Sequence, residues 1–140
     1  MLPQGTATGE NTLILACSGG SNVGQLSNQA AVELTKEGFG KMFCLAGIGG
    51  RLAKFVKAAT DAPQVVVIDG CSVGCAKAIM DQAEVAVGSY LVLTDLGIEK
   101  NKNLDLPQDQ IMRVKEAVRQ KNARPVTPSA RPQCACSCRG

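Results

Sequence analysis

Four short apolar runs punctuate the chain: "TLILA" at 12–16, "KMFCLA" at 41–46, "VVVID" at 65–69 and "YLVLT" at 90–94. Each has the length of a strand. They are nearly continuous in apolar residues rather than alternating, the pattern of parallel strands buried on both faces. Between them the apolar positions follow a helical period. Val23, Leu26, Ala30 and Leu34 share one face of a predicted helix; Asn22 and Gln25 fit an Asn-x-x-Gln capping pattern, and Gly38 fits a C-terminal stop. Leu52, Phe55, Val56 and Ala59 form a second stripe, ended by "DAP". Val73, Ala76, Met80 and Ala83 form a third, with Ser72 as its candidate cap. Ile111, Val114 and Val118 make a fourth, in a helix expected over about 107–121, where a proline near the start is tolerated.

Such alternation predicts an α/β fold: a mostly parallel sheet of about four strands with flanking helices, in a flavodoxin-like or Rossmann-like three-layer arrangement. Right-handed crossovers favour the strand order 2-1-3-4. Residues 1–122 read as a single α/β domain. In 123–140 the pattern stops: "ARPVTPSARPQCACSCRG" has three prolines and neither a helical stripe nor a strand run, and it reads as a disordered tail.

Composition narrows the function classes. A chain of 140 residues supports one domain with a real core. With three Phe, one Tyr and no Trp, that core must rest on Val, Leu, Ile and Ala. The net charge is +3, and much of the basic excess (Lys121, Arg124, Arg131, Arg139) falls in the last twenty residues, which carry no acid. The rest is close to neutral and lacks base-stacking aromatics, so no nucleic-acid footprint is visible. The first twelve residues lack the basic and apolar regions of a secretory signal. No apolar run approaches the roughly 20 residues of a membrane helix. The expected location is therefore cytoplasmic, where thiols stay mostly reduced. Seven cysteines, an odd number, also argue against complete pairing. The chain has no histidine, so a soft-metal site must be built from cysteine, with a carboxylate or water at most, and histidine acid–base chemistry is excluded.

The cysteines fall in a pattern. Cys17 follows the first run, Cys44 lies late in the second, Cys71 follows the third, and Cys75 sits in the first turn of the next helix. All four map to the carboxyl edge of the predicted sheet, where open α/β folds hold their ligands. Neighbouring strands lie about 4.8 Å apart, and Cys17 and Cys71 would flank the switch point between strands one and three. Four thiolates would satisfy Zn²⁺ or hold an iron–sulfur cluster. A third reading is a thiol enzyme in redox or sulfur transfer, with Cys71 or Cys75 as nucleophile. Buried filler is the ordinary alternative, for Cys44 above all. Two glycine-rich turns, "CSGGSNVGQ" and "AGIGG", lie at the same edge; backbone N–H groups there could cradle an anion, but a tight strand-to-helix turn already accounts for the glycines. Asp69 and Asp95, at strand ends, are candidate supporting or capping groups, with ordinary turn chemistry preferred. In the tail, Cys134, Cys136 and Cys138 alternate beside Arg139, a segment that could bind soft metal or pass it on.

The segments "CSGGSNVGQLSNQAA", "KMFCLAGIGG", "IDGCSVGCAKA" and "TDLGIEKN" together resemble the DGC-domain family, named for the Asp-Gly-Cys motif, here Asp69-Gly70-Cys71. The resemblance runs from about Leu13 to beyond Asn101. It implies a four-cysteine zinc site on Cys17, Cys44, Cys71 and Cys75, and it weakens the filler reading of Cys44. It implies no settled activity. The reading from sequence is a zinc-binding protein with an all-cysteine site, engaged in metal handling or serving as a metal-stabilised binding module. Protein partner and oligomeric state are not readable from the sequence.

Overall fold

A computed structural model describes residues 11–123. In chain order the elements are β1 (Thr12–Ala16), α1 (Asn22–Lys36), β2 (Lys41–Met42), α2 (Leu45–Gly49), α3 (Ala53–Asp61), β3 (Gln64–Asp69), α4 (Cys75–Gln82), β4 (Ser89–Val92), a 3₁₀ turn (Leu93–Leu96) and α5 (Gln108–Ala123). The strands form one parallel sheet of order β2-β1-β3-β4, as the crossover rules predict. β1 and β3 form its centre, in register from Thr12 opposite Gln64 to Ala16 opposite Ile68.

Successive side chains of a strand point to opposite faces. Ile14, Val66, Ile68 and Leu91 therefore pack with Leu26, Ala30 and Leu34 of α1 and Val114 and Val118 of α5. Leu15, Val65 and Val67 pack on the other face with Ile48, Ala59, Ala76 and Met80 of α2, α3 and α4. This three-layer α/β arrangement explains the unbroken apolar runs: both faces are covered. Each fully buried Leu, Ile or Val contributes about 1.5–3 kcal/mol of burial. No helix among the described residues is long and apolar enough to cross a membrane.

Three local expectations change. The second strand, expected over 41–46, ends at Met42. Phe43 still donates to the Ile14 carbonyl at 2.9 Å, but the Cys44 carbonyl already accepts from Gly47 and Ile48, so the chain turns into α2. The stripe begun at Val73 starts later, because Gly74 takes a left-handed turn (φ +68°) ahead of α4; Val73 is left 71% exposed. The cap of α1 is Ser21 rather than Asn22, its hydroxyl accepting from Gly24 N–H at 3.2 Å. The proposed domain end and the disordered tail, with Cys134, Cys136 and Cys138, lie at or beyond the limit of the described residues.

Candidate functional site

At the carboxyl edge β1 and β3 end side by side, and their chains leave toward opposite faces, into α1 and α4. The crevice between them is a switch point, where α/β sheets bind ligands. It holds a cavity of about 220 Å³, lined among others by Cys17, Asp69, Cys71, Cys75, Lys100 and Lys102. Its walls are two turns packed backbone to backbone. A Cβ on Gly24 would stand 2.6 Å from the Gly19 carbonyl oxygen, and one on Gly70 would stand 2.7 Å from Val23 backbone. Only glycine permits that approach.

Each thiol is placed by its element. Cys17 continues the β1 ladder, donating its N–H to the Ile68 carbonyl at 2.9 Å, and its side chain is half-buried. Cys71 follows β3 and packs partly against the α1 side of the core. Cys75 opens α4 and is exposed. The turn from Cys71 to Cys75 is fixed by Asp69, not by the expected Ser72. One carboxylate oxygen of Asp69 accepts from Ala76 N–H at 2.8 Å; the other accepts from Lys77 N–H at 2.9 Å and from the Tyr90 hydroxyl at 2.9 Å. Asp69 is thus a capping group that reaches α4 from the end of the strand, where ordinary turn chemistry was the preferred expectation. Burial, then the bond to Asp69, raises the Tyr90 phenol well above its ordinary range, which keeps it protonated as a donor.

The loop after the 3₁₀ turn supplies what cysteine spacing did not reveal. Asn22, 5% exposed, clamps it. The Asn22 side-chain amide donates to the Glu99 carbonyl at 2.8 Å, its side-chain oxygen accepts from Asn101 N–H at 2.6 Å, and its backbone N–H donates to the Asn101 carbonyl at 3.0 Å. Between those two anchors lies Lys100, whose Nζ donates to Cys71 Sγ at 3.3 Å. The "TDLGIEKN" segment contained Lys100, but no local pattern links it to a thiol 29 positions earlier.

Three of the four sequence-derived ligands share this cavity. Cys44 does not line it: it is exposed at the start of α2, neither buried filler nor a strand residue. The donor chemistry suits a soft ion such as Zn²⁺. The spacing is not that of a loaded site, because among the described residues no three Cys, Asp or Glu side chains stand close enough together to hold an ion.

A parallel three-layer domain with thiols and lysines around its switch-point crevice is thus the kind of protein at hand. The family model of the DGC domain matches residues 13–118, and the chain belongs to that family. It is similar to the "Anaerobic and virulence modulator AnvM" of Pseudomonas aeruginosa, 36% identical over 93 residues, covering 66% of this chain and 71% of that protein. No solved structure gives a significant match.

Proposed function

We propose that the crevice is a soft-metal site, with zinc as the ion and Cys17, Cys71 and Cys75 as donors, in a protein that handles metal or uses it to set a binding surface. The observation that carries this reading is the convergence of three thiols, from the ends of β1 and β3 and the start of α4, on one cavity. Loading requires the sulfurs to draw together, and rotation of Cys75 between staggered rotamers is open to an exposed side chain. The family resemblance adds Cys44, which would have to swing in from α2. The Lys100 ammonium complements negative charge on a metal-bound sulfur as well as on a free one.

One observation favours a second reading. A lysine beside a single half-buried cysteine is also the setting of a reactive thiol, and under that reading Cys71 is the nucleophile of a redox or sulfur-transfer enzyme. An iron–sulfur cluster is the third reading, supported only by the donor type.

Elemental analysis and visible absorption of protein purified without oxygen separate the three. The expected result is colourless protein with zinc, retained until Cys17, Cys71 or Cys75 is replaced by Ser. Brown protein with iron and sulfide contradicts zinc. Metal-free protein in which Cys71 alone is rapidly modified supports the thiol enzyme.

A further inference from the structure

Lys100 and Lys102 bring two positive charges to a cavity lined by three thiols. Lys100 donates to Cys71 Sγ, and neither lysine pairs with a carboxylate among the described residues. Among the described residues the one lining carboxylate, Asp69, already meets two backbone N–H groups and a phenol. Asp95, Glu99 and Asp105 lie nearby in sequence, yet none lines the cavity. Among the described residues the lining therefore sets two ammonium groups against one carboxylate, a net positive charge. The free space, about 220 Å³, compares with roughly 30 Å³ per water molecule in the liquid, which leaves room for a small organic acid or oxyanion.

We infer that this cavity takes a small anion, its charged end against Lys100 and Lys102 and its other end against the sulfur of Cys71. The anion needs no metal to bind, so its recognition goes beyond the metal reading and stands apart from it. The Asn22 clamp makes the arrangement a built one: it holds residues 99–101 in place, and with them the lysine over the thiol.

The test compares iodoacetate with iodoacetamide, probes of nearly equal size that differ in charge. The full chain is freed of metal by chelation and both reagents are used at one pH. In each reaction the thiolate sulfur bonds to carbon and iodide leaves, so the thiolate fraction cancels in the ratio of the two rates. Peptide mass spectrometry reads that ratio at each cysteine. Cys44, exposed and outside the cavity, is the internal reference. The iodoacetate-to-iodoacetamide ratio at Cys71 is expected to exceed that at Cys44 by about fivefold, the scale of one partly screened charge contact. In the Lys100→Gln/Lys102→Gln variant it should fall to the Cys44 value. Both lysines are exposed, so that variant keeps its fold. Equal ratios at Cys71 and Cys44 in the unaltered protein, or an unchanged ratio in the double variant, overturn the inference. Because metal is absent throughout, failure of zinc binding would leave this result standing, and the reverse also holds.

Discussion

Asn22 and Lys100 differ sharply in what their removal should cost. Asn22 is buried and joins α1 to residues 99–101 through two side-chain bonds. Asn22→Ala breaks both and strands partly buried backbone groups, so urea unfolding should show a loss of about 1–3 kcal/mol. Lys100→Ala touches an exposed side chain and should stay within about 0.5 kcal/mol of the unaltered protein. Thr12 should behave in the opposite sense. It is fully buried at the start of β1, and its hydroxyl has no hydrogen-bond partner among the described residues. Thr12→Val keeps the shape and removes the orphan oxygen, so it should raise stability by about 1 kcal/mol in the same assay; a loss would mean the hydroxyl is satisfied after all. At this scale the placement of Cys17 and Cys71 was legible, because both follow strand ends that local pattern sets; Cys75 lies near a helix start as expected, but that start is set by Asp69 from the end of β3. Asn22 was misread as a cap: its partners lie 77 and 79 positions away, and no local rule sees them.

The joint between α1 and α5 is electrostatic at its rim. Lys115 Nζ meets Glu33 at 2.8 Å and Glu37 at 2.6 Å, and Arg119 also pairs with Glu37. The hydrogen bonds from Lys115, then from Gln29 for Glu33 and from Arg119 for Glu37, hold both carboxyls below their ordinary range. The bonds to Glu33 and Glu37 raise Lys115 above its own. A carboxyl depressed in the folded state stabilises above its unfolded pKa, near 4.5, and loses that contribution as pH falls through the folded value. The raised lysine loses its share only as pH climbs through a value above 10.5. Lys115→Met should therefore lower the melting temperature at pH 7 and flatten its fall between pH 5 and 3, read by calorimetry across that range. A parallel curve, merely displaced, would contradict the assignment. The elements themselves were legible where an apolar stripe was long, as in α1 and α5. They were least legible at β2, where a six-residue apolar run gave way to α2 after Met42. The run carries no breaker at its end, and the close packing of Gly47 on the Phe55 ring, which leaves no room for a Cβ, is a tertiary contact that the run itself does not encode.

The strand order and three layers of the whole molecule followed from alternation and handedness, since both sheet faces needed covering. The placement of Lys100 did not follow, because tertiary contact alone sets it. That architecture bears directly on what metal can do here. In a small zinc finger the ion contributes on the order of 10–16 kcal/mol and the apo chain is unfolded. This domain has a continuous core on both sheet faces, and the crevice lies at its edge. Metal should tie the turns at 17–24 and 70–76 together without being needed for the sheet. Hydrogen exchange on zinc-loaded protein, and on the same protein after chelation, tests this most directly. Chelation should lower protection in those two turns, while Val65–Ile68 exchanges as slowly as before. Unchanged turns would mean that the site lies elsewhere, and global loss of protection would mean that the metal holds up the whole fold.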